Sequence, residues 1–422
     1  MSTKLQRHKL SSLIDVKRGQ SISGEYYASE GEHIRLTLAN FDYVNGGFKV
    51  DTQKDDLYYT GPIKPECLLK KDDIITPLTE QALGLLGSTA RIPESDKYVQ
   101  SGDIALVTCK EGLIDPDFCY YLLPSKQVKK QLAAGSQQTK IRHTSPDAIK
   151  ACVVDIPDFE QQKKIGKFLS LLDRKISLNR AINANLQSLA KQIYDYWFVQ
   201  FDFPDENGCP YKSSGGKMVW NEKLKREIPA GWEASNILKV AEILSGGTPS
   251  KKVGNYWEGG TIPFFGPTDV NGNVFQIETE YHITEDGLHH CASSLYEEGV
   301  IIITARGSIG KLVVVGKPMA MNQSCYAFRS KKGEYEYLYF LTIQLIEWLK
   351  AKGSGSVFKS IVTSDIENST LCIANDLIVT KFSEIIRPIF KMLKSNTLEI
   401  SFLTEQRNEL LPLLMNGQVT IE

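Results

Sequence analysis

The stretch Phe159-Glu-Gln-Gln-Lys-Lys-Ile165-Gly-Lys-Phe-Leu169-Ser-Leu-Leu172-Asp-Arg-Lys-Ile176, continuing to Phe198, decides how this chain is organised. Ile165, Leu172, Leu186 and Ile193 recur every seven residues with Asn179 in the gap, and Leu169, Ile176, Ala190 and Trp197 form a second series with Asn183 in its gap. Two interleaved series at that spacing are the seam of a long helix that buries one stripe against a partner helix. Taken as about 38 residues at 1.5 Å each, the helix is a rod of roughly 57 Å, longer than one ~34 Å turn of B-DNA. The pattern returns near the end of the chain, in Phe382, Ile389, Asn396, Leu403 and Leu410 beside Ile386, Leu393, Ile400, Arg407 and Leu414.

The two rods differ by a constant shift of 217, and the segments before them also repeat. Leu10, Leu13, Val16, Arg18 and Gly19 recur as Ile237, Val240, Ile243, Ser245 and Gly246, a shift of 227. Gly135-Ser136, Ile141, Thr144 and Cys152 match Gly355-Ser356, Ile361, Ser364 and Cys372 at a shift of 220. A duplicated head and rod predict an object with an internal pseudo-twofold. Each head reads as short strands broken by turns, with Ile34–Leu38, Asp73–Pro77 and Asp103–Cys109 in the first and Val300–Thr304 and Lys311–Val315 in the second. A helix is expected from Pro116 through Tyr120, Leu122 and Val128, and another from Leu338 to Leu349. The fold class is therefore α+β: two globular α/β domains separated by two long, antiparallel, coiled-coil-like helices. The expected boundaries are 1–157 for the first head, 158–200 for the first rod, 201–232 for a linker, 233–374 for the second head and 375–422 for the second rod.

The linker carries Asp205-Glu-Asn-Gly208, Ser213-Ser-Gly-Gly216 and Pro229-Ala-Gly231, polar turns that can send the chain back along the rod. In an antiparallel pair Asn179 and Asn396, each central in its seam, come near one another and fix register. Pro388 removes a backbone donor inside the second rod and is expected to kink or restart it.

Composition narrows the function. A net charge of -1 with 23% charged residues rules out a generic polybasic nucleic-acid binder. The eight cysteines include no Cys-x-x-Cys and no Cys/His cluster at metal spacing, so they read as reduced thiols. No apolar stretch approaches the ~20 residues that span a bilayer, and Met1-Ser-Thr-Lys-Leu-Gln-Arg-His8 has no apolar signal region, so a cytoplasmic location is expected, with no membrane partner. Phosphate loops, dinucleotide fingerprints, nucleophile elbows, His-Glu-x-x-His and the Asn/Asp-Pro-Pro-aromatic motif of amino-methyltransferases are all missing. Gly307-Ser-Ile-Gly310-Lys311 has the wrong spacing for a phosphate loop and lies between strands, while His289-His290-Cys291 lacks further ligands at a familiar interval, so no metal is expected.

What remains are turns dense in residues that bond bases and phosphates. In the first head they are Thr79, Glu80, Gln81, Ser88, Arg91, Gln137, Gln138, Lys140 and Arg142. In the second they are Thr248, Ser250, Lys251, Arg306, Ser308, Lys311, Asn322, Gln323, Ser356 and Lys359. Gly, Ser, Thr and Asn also serve any turn, so the same residues are compatible with loops that do nothing but connect.

Two heads, each followed by a heptad helix, with the first rod ending Ile193-Tyr-Asp-Tyr-Trp-Phe-Val-Gln-Phe-Asp-Phe-Pro204 and the second ending Glu409-Leu-Leu-Pro-Leu-Leu-Met-Asn-Gly417, resemble the specificity subunits of type I restriction-modification systems. Asp155-Ile-Pro-Asp-Phe-Glu-Gln-Gln-Lys-Lys-Ile165, Leu171-Leu-Asp-Arg-Lys-Ile176, Pro210-Tyr-Lys-Ser-Ser-Gly-Gly-Lys-Met218 and Glu227-Ile-Pro-Ala-Gly-Trp232 are similar too. So are Gly246-Gly-Thr-Pro-Ser250, Tyr256-Trp-Glu-Gly-Gly-Thr-Ile-Pro263 and Ala305-Arg-Gly-Ser-Ile-Gly-Lys311. The resemblance implies two target-recognition domains, each reading one half of an interrupted double-stranded DNA sequence. It implies helices that set the spacing and dock two methyltransferase subunits, with motor and nuclease subunits completing the complex. This chain is then non-catalytic and holds no cofactor, while S-adenosylmethionine, ATP and Mg belong to the partners. The second rod departs from the pattern, starting Ala374-Asn-Asp-Leu377 where the first has Pro157-Asp-Phe-Glu-Gln161. The competing readings are a protein-binding structural adaptor and an enzyme, nuclease or methyltransferase, with an unrecognised site.

Overall fold

The computed structural model describes residues 4–42, 46–50, 57–80, 84–135, 142–352 and 360–421. The chain divides into two compact units, Met1–Lys175 with Leu403–Glu422, and Ile176–Phe402. Each is mixed α and β, as expected. Among the described residues no helix is long and apolar enough to cross a membrane.

In the first unit the apolar strand Ile104–Cys109 takes the centre of a four-stranded antiparallel sheet, ordered Ile14–Arg18, Ile104–Cys109, Ile74–Pro77, Ala90–Arg91. A smaller sheet joins Tyr27–Ala28, Tyr58–Tyr59, Ile34–Arg35 and Tyr98–Val99, the last two in parallel. Gln6–Lys9 pairs with Val153–Ile156, which runs straight into the long helix Phe159–Tyr194. The helix expected from Pro116 to Val128 is two, Pro116–Leu122 and Lys126–Gly135, because Pro124 cannot donate to the turn before it. The first is started by Asp115, whose carboxylate accepts from Phe118 N at 2.9 Å. It lies so close to the long helix that a Cβ on Gly166 would sit 2.6 Å from Phe118 N, which explains a glycine inside a heptad helix. Phe118, Leu122 and Val128 share one core with Ile165 and Leu169 of the first long helix and with Leu414 and Met415 of the second.

The second unit repeats this topology. Its larger sheet runs Ala241–Ser245, Cys325–Ser330, Ile301–Thr304, Leu312–Val315, with Phe275–Gln276 added in parallel at the far edge. Its smaller sheet runs Tyr281–Ile283, Ile262–Phe265, Ala320–Met321, and Glu233–Ser235 pairs with Leu371–Ile373. Registers correspond residue for residue: Gln6↔Ile156 with Glu233↔Ile373, Ala105↔Arg18 with Tyr326↔Ser245, Ile104↔Pro77 with Cys325↔Thr304. These pairings correct the shift of 220. Ile156 and Ile373 are equivalent, so the offset is already 217 at the end of the head. Cys152, which precedes its strand, is not the counterpart of Cys372, which lies within one.

The long helices are Phe159–Tyr194, extended by a π turn at Asp195–Val199, and Asp376–Met415. Every apolar residue of both expected seams is buried or half-buried. Their starts are capped alike despite the different sequences, Asp158 accepting from Gln161 N at 3.0 Å and Asn375 from Ile378 N at 3.1 Å. Within the first unit, Arg407 Nη1 donates to Asp173 Oδ1 at 2.7 Å. Within the second, Asn179 Nδ2 donates to Glu399 Oε2 at 2.8 Å and Asn396 Nδ2 to Asn183 Oδ1 at 2.9 Å, with Asn183 Nδ2 3.3 Å from Thr397 Oγ1. Asn179 and Asn396 do not bond each other but take part in two staggered pairs, one turn apart.

The second helix runs on through Pro388 without restarting. The Pro388 ring is exposed, and the carbonyl it strands, four residues earlier at the exposed Glu384, can turn to water. The cost of the lost hydrogen bond nevertheless remains. Replacing Pro388→Ala is expected to stabilise the second unit by about 1–3 kcal/mol, read as a raised midpoint in thermal unfolding followed by circular dichroism.

Candidate nucleic-acid interface

Strand direction brings three of the second head's polar turns together. Ser245↔Tyr326 and Thr304↔Cys325 are neighbouring pairs at one end of the larger sheet. The chain leaving Ser245, the chain leaving Thr304 and the chain entering Cys325 therefore all lie at that end. Gly247 N donates to Met321 O at 3.0 Å, and Ala305 N and Arg306 N both donate to Ser324 O, at 2.8 and 3.2 Å. Thr248 Oγ1 donates to Gln323 Oε1. Asn322 Oδ1 is turned inward to accept from Ser324 N at 2.9 Å. Gly246 is forced by this junction, since a Cβ there would stand 2.0 Å from the Asn322 carbonyl oxygen. Around this rim Ser250, Lys251, Arg306, Ser308, Lys311 and Gln323 are exposed. Gly307–Lys311 closes the hairpin between Ile301–Thr304 and Leu312–Val315, with Thr304 Oγ1 accepting from Lys311 N at 3.0 Å. Three exposed cations, and a Gln323 amide whose oxygen takes the Thr248 hydroxyl and whose Nε2 is left to face outward, on a frame of rigid strand ends can grip phosphates and read base edges.

The first head builds the same end with different residues. Gly19 N donates to Ile104 O at 3.2 Å, Leu78 N to Asp103 O at 2.7 Å and Thr144 N to Leu78 O at 2.8 Å. The second head's Ile361 N donates to Ala305 O in the matching place, at 2.9 Å. A Cβ on Gly19 would lie 2.4 Å from Ser101 O, the counterpart of the constraint at Gly246. Thr79 and Glu80 pair with His143 and Arg142 as a short ribbon beside it.

Of the residues expected to face DNA, Thr79 is buried, and Glu80 and Arg91 are engaged inside the head. The Glu80 carboxylate is buried and accepts from Gly84 N, Leu85 N and Leu86 N at 3.2, 3.0 and 3.0 Å, with Arg142 Nη1 3.6 Å from its other oxygen. It organises the turn. Lys129 reaches the same turn, donating to Gly84 O at 2.9 Å, and burial holds its pKa below the usual lysine value despite the nearby Glu80. Arg91 pairs opposite Ile74, at the end of the strand remote from Leu78, where it bonds Asp117 and lies over the Tyr120 ring at 4.9 Å. Ser88 is half-buried at the edge of the Glu80 turn. Gln81, Gln137, Gln138, Lys140, Ser356 and Lys359 lie outside the described residues.

Other rim residues escaped the sequence reading. Ser21 and Ser23 follow Gly19 and are exposed, and the shift that pairs Gly19 with Gly246 points to them. The turns Leu38–Asn40 and Pro267–Asp269 occupy matching places, each held by its last residue: Asn40 Oδ1 accepts from Thr37 N at 2.8 Å and Asp269 Oδ2 from Gly266 N at 2.7 Å. A Cβ on Gly266 would be 3.3 Å from Asn322 Nδ2, so exposed Thr268 belongs to the second rim. Thr37-Leu-Ala-Asn40 and Gly266-Pro-Thr-Asp269 share too little sequence to be matched by eye. His290 stacks on Tyr256 with ring centroids 5.0 Å apart, and its Nδ1 lies 3.1 Å from Asp286 Oδ1. Among the described residues no cluster of three or more His, Cys, Asp or Glu could hold a metal.

The family pattern described as the type I restriction modification DNA specificity domain matches residues 6–188 and again residues 229–399. The chain belongs to that family. Its two specificity domains each take in a head and much of the helix that follows. The type I restriction enzyme MjaIX specificity subunit of Methanocaldococcus jannaschii is 28% identical over 319 residues, covering 74% of this chain and 71% of its own length. The HindI specificity subunit of Haemophilus influenzae is 24% identical over 377 residues, covering 77% and 82%. The crystal structure of the type I restriction-modification S subunit from M. genitalium superposes with a TM-score of 0.62 at 17% identity, over 98% of this chain and 99% of that one, a likeness of fold. DNA sequence specificity is accordingly the role of this chain, and the specificity domains' sheet ends are where its polar turns converge.

Replacing Glu80→Ala strands three amides, two of them on buried residues. It is expected to cost the first specificity domain about 2–4 kcal/mol, measured by urea unfolding, while Arg306→Ala, exposed on its rim, changes stability by less than about 0.5 kcal/mol.

Proposed function

We propose that each specificity domain reads one half of an interrupted DNA sequence through the loop end of its larger sheet. The two long helices, paired antiparallel about a pseudo-twofold, set the distance between half-sites and dock two methyltransferase subunits. The observation that carries this reading is the recurrence, in both heads, of one loop-bearing sheet end in matching register, furnished with different side chains. A common frame with different residues suits the recognition of two different half-sites. The helix contacts support antiparallel pairing, since residue numbers rise on one helix as they fall on the other: Asp173 with Arg407 in the first unit, then Asn179 with Glu399 and Asn183 with Asn396 in the second. The staggered asparagine pairs are the register device.

Leu171, Leu178, Leu189 and Tyr196 are exposed apolar residues separated by 7, 11 and 7 positions, which places them along one side of the first helix. That face is the methyltransferase dock. The reaction then belongs to the partners: methyltransferase subunits carrying S-adenosylmethionine, and motor and nuclease subunits using ATP and Mg. This chain supplies specificity without catalysis, working in the cytoplasm where the DNA is. The near-neutral charge fits, because much of the phosphate grip falls to the assembly.

The test is to co-express the chain with its methyltransferase subunit and map methylated adenines across the host genome. A two-part interrupted motif is expected. Arg306→Ala or Gln323→Ala should relax one half only, and removing one heptad from each helix, about 10 Å, should shorten the gap. Absence of new methylation with the methyltransferase bound would favour the adaptor reading, and activity of the isolated chain would favour an enzyme.

A further inference from the structure

The duplication makes it possible to ask which contacts differ between equivalent places. In the first unit Tyr121 OH donates to Asp173 Oδ2 at 2.6 Å, and Arg407 Nη1 donates to Asp173 Oδ1 at 2.7 Å. The side chains of Asp173 and Arg407 are only 29% and 16% exposed. The shift of 217 that relates the helices turns Asp173 into Phe390 and Arg407 into Ala190. Asp115, which starts the helix bearing Tyr121, matches Glu334, so Tyr121 corresponds to Phe340. In the second unit Phe340, Phe390 and Ala190 all belong to one apolar core, with the two rings 6.1 Å apart. A polar triad thus stands where the repeat has an apolar one.

Such a repeat has a built-in competitor, for a helix that pairs with its own near-copy can also pair with the same helix of a second chain. The central polar residues do not prevent this. Asn183 bonds Asn396, whose equivalent on the first helix is Asn179, so two first helices would set Asn183 against Asn179 with the same chemistry. At the triad the outcome differs. Two first helices place Asp173 opposite Ala190, leaving a half-buried carboxylate without its guanidinium.

We propose that the Tyr121–Asp173–Arg407 triad is a partner-selecting lock that makes the first helix pair with the second helix of its own chain and excludes a second copy of itself. This rests on the antiparallel pairing above. Arg407→Ala gives the second helix the residue the first already has there, which erases the native advantage, whereas Arg407→Lys keeps the charge.

The full-length chain is tested as a mixture of two differently tagged copies in a Cys209→Ser background, one with Asn179→Cys and the other with Asn183→Cys. An oxidative cross-link between copies reports pairing of two first helices. Arg407→Ala is expected to raise that cross-link about tenfold over the parent, and Arg407→Lys to leave it near the parent level. A parallel sample with Asn179→Cys and Glu399→Cys in one chain reports the native pairing. An unchanged cross-copy product in Arg407→Ala, with the intrachain product intact, overturns the lock. Loss of the intrachain product in the parent overturns the antiparallel pairing and the lock with it.

Discussion

The long helices carry residues that are at once a helix seam and the floor of a head. Ile165 and Leu169 lie in the core that holds Phe118, Leu122 and Val128, and Ala190, Tyr194, Trp197 and Phe198 lie in the core that holds Tyr337, Leu341 and Phe382. A head that shares its core with a helix cannot turn on it without opening apolar surface, at roughly 1.5–3 kcal/mol for each large side chain uncovered. Gly166 tightens the first of these junctions and the ring cluster around Tyr194 the second, where burial drives the Tyr194 phenol well above its usual pKa. The strand pairs Gln6–Lys9 with Val153–Ile156 and Glu233–Ser235 with Leu371–Ile373 then bind each head's first residues to the segment that becomes its helix. Loop position at the far sheet end is a consequence of that anchoring.

The loop ends follow a division of labour between backbone and side chain. Glycines at Gly19 and Gly246, where any Cβ would strike a carbonyl oxygen, keep the first loop pressed on the segment before the central strand. Backbone bonds from Leu78 and Ala305 hold the second loop, and these involve no side chain at all. Side chains at the rim are therefore largely released from structural duty in the second head, where Arg306 and Lys311 are exposed and Gln323 keeps only its bond from Thr248. The first head is less free. Glu80, with Arg142 beside it, and Arg91 hold the turn and the helix Pro116–Leu122 in place, which leaves the outward chemistry to Ser21, Ser23 and their neighbours.

Much of this was legible because it is periodic or local. Heptads give the long helices and their buried faces, alternation and turn residues give the sheet strands, and Asp115-Pro116 announces a helix start. What escaped is set by tertiary context. Pro124 splits a helix whose apolar pattern runs on through it, and Pro388 leaves another whole because its ring faces water. Glu80 and Arg91 look like surface residues until their partners, Leu85 N, Leu86 N and Asp117, are brought to them by the fold. The offset of 220 read near the end of the heads arose from matching Cys152 to Cys372 by identity, whereas hydrogen-bond register matches Ile156 to Ile373. Residue identity in a diverged repeat is weaker guidance than strand pairing, since pairing is what the duplicated fold has to conserve physically.

The same divergence bears on how a duplicated chain stays a single object. Under the proposed antiparallel pairing, two identical halves would gain nothing by pairing with each other in preference to a neighbour, and the asparagines on both helices are tolerant of either choice. Discrimination needs a place where the two helices are chemically unlike and where mismatch strands a charge. Asp173 and Arg407 satisfy both conditions, and Phe390 and Ala190 show that packing at the equivalent place does not require an ion pair. A partly buried ion pair adds little net stability, because desolvation offsets its attraction. Its value here lies in the difference between two pairings, which depends on what replaces the guanidinium when the wrong helix arrives and not on the strength of the bond in the right one.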